Sequence, residues 1–84
     1  MNYDVIEVFP VNYLHLKVKF RDGLDGDVIF KESHLNGVFE ALKNPDIFSM
    51  VNCKQGFVEW PGEIDLAPDA MYDNVKKNGA WELA

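Results

Sequence analysis

The chain has 84 residues, of which 48% are apolar and one is cysteine, and its 14 acids against 8 bases give a net charge of −6. That length fits a single domain; the apolar and aromatic share excludes intrinsic disorder, and one cysteine excludes an intramolecular disulfide or a cysteine-based metal cluster. No apolar run approaches the roughly 18–20 residues of a membrane span, and the opening MNYDVIEV lacks the charged and apolar regions of a secretory signal, so a soluble, cytoplasmic, acidic domain is expected.

Residues 4–9 are rich in β-branched and aromatic side chains and predict a strand, broken at Pro10-Val11-Asn12. Over 13–20, Leu14, Leu16, Val18 and Phe20 alternate with Tyr13, His15, Lys17 and Lys19. That is the period of a half-buried antiparallel strand. Asp22-Gly23 is a hairpin-turn signal and leads into a third strand over 24–31, where Gly26 suggests a bulge or a distorted start.

Ser33 is the expected N-cap of a helix whose stripe is Leu35, Val38, Phe39 and Leu42, spaced i, i+3, i+4, i+7. Gly37 weakens that helix by about 1 kcal/mol relative to Ala, and Asn44-Pro45 ends it, with Asn44 in the left-handed cap position. Residues 46–48 are expected as a short turn that drops Phe48 into the core. Residues 50–54 and 57–60 predict two strands around Gln55-Gly56. A last helix starts at Pro68, carries Met71, Tyr72 and Val75 inward, and stops at Asn78-Gly79. Its early Asp69 and Asp73 and late Lys76-Lys77 suit the helix dipole.

The expected fold class is α+β: an antiparallel β-meander with two helices packed on one face, in the order β-β-β-α-β-β-α. One domain covers 1–79. Residues 80–84 form a C-terminal tail in which Trp81 either packs back or awaits a partner. With six Phe, three Tyr and two Trp at about 150–250 Å² each, the core is sufficient though small. A partner protein or a second copy in a homodimer would add burial.

Catalytic and metal chemistry finds little support. His15 and His34 show no ligand spacing with each other or with Cys53, so no metal or other cofactor is expected. Cys53 has no base beside it in sequence and reads as a small hydrophobe in a strand. Neither Ser33 nor Ser49 stands in a nucleophile elbow, and there is no Gly-rich phosphate loop. Asp22, Asp25 and Asp27 superficially suggest a calcium loop, but counting from Asp22 puts Leu24, Gly26 and Ser33 where acidic ligands are needed. The expectation is a protein that is not an enzyme. The charge is spread evenly over both halves, with no basic arm to neutralise phosphates, so direct nucleic-acid binding is not expected.

The most informative segment is 59–73, which holds Glu59, Glu63, Asp65, Asp69 and Asp73 and no base, together with Trp60 and Tyr72. One reading is a strand-to-helix connection, with Asp65 or Asp69 satisfying amides near the helix start and Trp60 packing on Tyr72 or Met71. The other is a presented acidic and aromatic surface, whose aromatics anchor a protein partner and whose acids steer a basic one. The candidate partner- or ligand-binding residues are therefore Glu59, Trp60, Glu63, Asp65, Asp69 and Tyr72.

Trp60-Pro61, Asp65-Leu66, Pro68-Asp69 and Tyr72 resemble the closing signature of a small bacterial family, domain of unknown function 2442. Phe20 to Gly23, the run Phe39-Glu40-Ala41-Leu42 and Asp46-Ile47-Phe48 fit the same family in order and spacing. Members often read Trp-Pro-Asn-Gly where this chain has Trp60-Pro61-Gly62-Glu63. The resemblance implies a small α+β domain without assigned catalytic residues, found alone or beside a helix-turn-helix segment, for which the residues after 77 leave no room. It also implies a gene neighbour from another small uncharacterised family, number 4160, in an arrangement like toxin–antitoxin pairs. The expected function is thus an antitoxin-like or regulatory module that binds a small, basic protein encoded nearby. The alternative is a small-ligand or sensor domain with a pocket near Phe57, Trp60 and Tyr72.

Overall fold

The computed structural model describes residues 3–83. Strands β1 (Val5–Asn12), β2 (His15–Phe20) and β3 (Asp25–Phe30) form the expected antiparallel meander. Strand β1 runs through Pro10 instead of ending before it. It is the outer strand of its sheet, where a missing amide removes no ladder hydrogen bond from a second neighbour. Its pairing with β2 shifts register between Val5 and Glu7 and between Pro10 and Asn12. Leu14 leaves the expected strand stripe and sits in the β1–β2 turn at φ 60°, still buried.

The β2–β3 hairpin closes as the Asp-Gly signal requires. The Phe20 amide donates to the Leu24 carbonyl at 2.8 Å, and the Leu24 amide donates to Asp22 Oδ1 at 2.9 Å. The inner face holds Leu16, Val18, Phe20, Val28 and Phe30, all buried. The outer face aligns Glu7 with Lys19, Lys17 with Asp27, and Lys19 with Asp25. Opposite charges across strands contribute about 0.2–1 kcal/mol per pair.

The first expected helix is replaced by two 3-10 segments, Glu32–His34 and Gly37–Lys43, followed by the short helix α1 (Pro45–Phe48). Gly37 has φ 60°, a value that no residue inside a right-handed helix adopts, so the chain cannot run as one helix through it. Leu35 and Leu42 are buried as the stripe predicts, whereas Val38 is 64% exposed. Ser33 caps nothing by its side chain. Asn44 is extended rather than left-handed, and its Oδ1 accepts from the Asp46 amide at 2.9 Å, so it starts α1 instead of ending a helix.

A second, three-stranded antiparallel sheet is formed by β4 (Asn52–Lys54), β5 (Phe57–Trp60) and β6 (Ile64–Leu66). Gln55 and Gly56 both take positive φ in the β4–β5 turn, as a tight hairpin favours. Strand β6 lies in what reads as a connection. It has only three residues, Ile64 and Leu66 buried and Asp65 exposed.

Helix α2 (Pro68–Asn78) begins with Pro68 in its first turn and ends at Gly79, which is left-handed and donates its amide to the Val75 carbonyl at 2.7 Å. The expected tail over 80–84 is then a strand: β7 (Ala80–Leu83) pairs parallel with β3, giving the sheet order β1-β2-β3-β7, while residue 84 lies outside the described residues. Trp81 and Leu83 align with Val28 and Phe30 and pack against the core, so Trp81 folds back. The element order is therefore longer than β-β-β-α-β-β-α, and the main sheet is mixed. The buried side chains of both sheets and of α2 form one continuous cluster.

The bulge expected at Gly26 is absent, since Gly26 pairs regularly with Val18. The glycine is needed because α2 passes close by. A Cβ there would stand 2.5 Å from Val75 Cγ1 and 2.7 Å from the Gly79 carbonyl oxygen. Gly26→Ala should therefore lower stability by about 1–3 kcal/mol in denaturant unfolding, as overpacked sites do. Gly23→Ala, where no atom lies within 4 Å, meets backbone strain but no clash and serves as the comparison.

Candidate functional site

The alternation of 58–66 separates the candidate residues. Val58, Trp60, Ile64 and Leu66 face the core. Glu59 and Asp65 face outward and stand directly opposite each other across β5–β6, with Asn52 of β4 on the other side of Glu59. Glu63 sits in the β5–β6 turn at φ 63°. Among the described residues, Glu59, Glu63 and Asp65 form no ion pair and no side-chain hydrogen bond. Like charges placed directly opposite on a sheet cost about as much as opposite charges contribute.

Trp60 is only 3% exposed and belongs to the interior rather than to a presented surface. Its ring meets Phe30 at 5.9 Å and Phe48 at 6.0 Å, and its Nε1–H donates to the Phe48 carbonyl at 3.0 Å. Of the partners named from the sequence, Tyr72 is not among its ring contacts, whereas Met71 belongs to the same buried cluster. An indole that has both its apolar body and its one donor satisfied has nothing left to offer a ligand.

Asp69 lies in the first turn of α2, and its Oδ1 accepts from the Ala70 amide at 2.9 Å. Tyr72, one turn on, joins a residue that the sequence leaves in a solvated turn. Its hydroxyl donates to Asp22 Oδ2 in the β2–β3 hairpin. The Tyr72 ring stands edge-on to Phe20 at 5.1 Å and 89°, with Lys76 Nζ 5.8 Å from its centre. The structure thus brings Glu59 and Asp65 together, and it ties Tyr72 to Asp22 rather than to Trp60. Asp22 could have been suspected only from its turn position, because its partner lies fifty residues away in sequence.

The remaining polar groups are dispersed. His15 Nε2 lies 3.2 Å from Asp27 Oδ1, next to it on the outer face of the main sheet. Arg21 Nε lies 3.5 Å from Asp4 Oδ2, and the Arg21 amide donates to the Asp4 carbonyl at 2.8 Å. Cys53 is half-buried opposite Val58. Among the described residues, no group of three His, Cys, Asp or Glu side chains is placed to hold a metal ion, and no helix is long and apolar enough to cross a membrane. Three clefts lie away from the pocket expected near Phe57, Trp60 and Tyr72. They are lined by Phe30 and Leu35, by Val11 and Pro45, and by Asn74 and Asn78, and none includes those three side chains.

A family model described as protein of unknown function (DUF2442) matches residues 5–77. No curated protein and no solved structure matches the chain.

The Tyr72–Asp22 bond makes stability depend on pH at both ends. It is the main cause, ahead of the Leu24 amide, that holds Asp22 below its ordinary carboxylate value. It is also the main cause, ahead of lost solvation, that holds the Tyr72 phenol above its ordinary value. A depressed acid contributes stability that is present above its unfolded pKa of about 3.9 and is lost as pH falls through the folded value. A raised phenol contributes stability that is present below about pH 10 and is lost as pH rises through the folded value. Tyr72→Phe should flatten both limbs of the stability–pH curve measured by thermal unfolding. A curve unchanged at both ends would refute the coupling.

Proposed function

The chain belongs to the DUF2442 family, and we propose that it is a non-enzymatic interaction module that takes a small basic protein, the product of the adjacent gene, on the outer face of β4–β6. The observation that carries this reading is the Glu59–Asp65 pairing: two carboxylates are aligned across strands with no counter-ion among the described residues. An arrangement that costs the free protein stability is relieved when a Lys or Arg of a partner reaches it. Glu63 in the adjoining turn and Asp69 in the first turn of α2 add to the negative field that steers a basic partner.

Apolar anchoring comes from β1 rather than from Trp60. Ile6, Phe9 and Val11 are 42–54% exposed on a strand that runs beside β4 and β5. Exposed apolar side chains next to a charged rim are the usual composition of a protein interface. An antitoxin-like or regulatory role is the form that binding takes in this proposal, and it needs no catalytic group.

The test is co-expression with the product of the neighbouring gene, followed by co-purification at about 50 mM and about 0.5 M salt, which screen exposed charges very differently. A complex is expected at low salt and should weaken at high salt, and Glu59→Lys with Asp65→Lys should abolish it. Absence of a complex at low salt overturns the proposal. Asp65→Asn makes a second check. In the isolated domain it should raise stability by about 0.2–1 kcal/mol in urea unfolding by removing the cross-strand repulsion, while it weakens capture of the partner.

A further inference from the structure

We propose that the cleft at the end of β3 and β7 binds a small carboxylate with a compact apolar body, such as a single aromatic ring or a short alkyl chain. The cleft is lined by Phe30, Lys31, His34, Leu35, Phe39 and Leu83 and has a volume of about 170 Å³. Phe30 closes β3 and Leu83 closes β7; Lys31 and Leu35 flank the first 3-10 segment, which contains His34, and Phe39 lies in the second. None of the acids of 59–73 lines it, so the site is independent of the partner surface on β4–β6.

The chemistry of the lining selects the ligand. Phe30 and Leu35 are each 6% exposed and form an apolar floor, while Phe39 and Leu83 are half-buried walls. The two polar side chains in the lining are an ammonium, Lys31, and an imidazole, His34. Among the described residues neither makes an ion pair or a side-chain hydrogen bond, so both can donate to a ligand. In a chain whose acids outnumber its bases 14 to 8, a cleft with a basic and no acidic side chain in its lining is set apart from the general field. An anionic head is attracted to this rim and a neutral or cationic one is not.

The volume sets the size. Drug-sized ligands occupy pockets of about 300–1,000 Å³, whereas an apolar cavity of about 150 Å³ suffices for benzene. The occupant is therefore a single ring or a chain of about six carbons carrying one carboxylate. The walls can adjust to it. Around the cleft the backbone follows the 3-10 pattern, the Leu35 amide donating to the Glu32 carbonyl and the Phe39 amide to the Asn36 carbonyl, both at 3.1 Å. Such segments hold their shape less firmly than an α-helix.

The experiment is an amide NMR titration of the full chain with sodium benzoate and sodium hexanoate, each against its neutral counterpart, benzyl alcohol and hexanol. The carboxylates should shift amides within 30–39 and 80–83 and should bind about threefold or more tighter than the alcohols, the difference that an exposed charge supplies. Lys31→Met should remove that preference and leave the thermal unfolding temperature nearly unchanged, because Lys31 is exposed. Leu83→Trp should fill the cleft and abolish binding of all four compounds. If that variant does not fold, Lys31→Met decides alone. Equal binding of acid and alcohol, shifts confined to residues outside the cleft, or no shifts up to saturation would each overturn the proposal.

Discussion

Trp60 is a central contact between the two sheets, which also meet through the common core and through the Val5 amide on the Gly56 carbonyl at 2.8 Å. Trp60 comes from the middle strand of the small sheet, its ring packs against Phe30 of the main sheet and Phe48 of α1, and its indole N–H ends on the Phe48 carbonyl. Phe30 and Phe48 meet in turn at 5.8 Å and 87°, and Tyr13 closes on Phe48 from the β1–β2 turn at 6.3 Å. Edge-to-face contacts of this kind add about 0.5–1.5 kcal/mol each beyond the area they bury. The Phe48 carbonyl also accepts the Val51 amide at 3.3 Å, so the exit from α1 and the start of the small sheet are fixed by the same oxygen. In a chain with no disulfide, this cluster replaces the covalent staple that small domains often need.

The consequence for the surface is a division of labour within one short segment. From Val58 to Leu66 every inward position is apolar and serves the aromatic cluster, and the outward positions of the strands carry the acids. Pleating alone enforces this separation, because successive side chains leave opposite faces of a strand. The acids of 59–73 and its tryptophan are thus neighbours in sequence and strangers in space. Any partner drawn by the acids must find its apolar contacts on another element, and β1, which packs beside β4 and β5, carries exposed Ile6, Phe9 and Val11.

How far the sequence reveals this fold depends on how local each signal is. Asp22-Gly23 and the Pro68 to Gly79 helix are legible because the determining residues lie inside the element. Leu35, Val38, Phe39 and Leu42 mislead for a physical reason: over so few residues a 3-10 run and an α-helix place apolar side chains on nearly the same face, and the φ of Gly37 cannot be read from its neighbours. Strand β6 is too short for its alternation of Ile64, Asp65 and Leu66 to stand out. Strand β7 is hidden because its reason for being a strand is β3, far away in the chain. The candidate site divides in the same way. Glu59 and Asp65 are legible as outward-facing acids, but their pairing depends on the unseen β6, and the link of Tyr72 to Asp22 depends on tertiary structure alone.

The parallel pairing of β3 with β7 has a kinetic consequence. Asp27 can meet Ala80 only after everything between them, the small sheet and α2 included, has been brought into place or at least looped out. Contacts of such sequence separation carry their closure entropy before they return any enthalpy, and they slow folding. Until β7 arrives, β3 has one open edge beside Val28 and Phe30, a template on which the strand of another molecule can pair. The β3–β7 pairing is thus the long-range closure of the fold, and any state in which it is unmade leaves that edge open to aggregation.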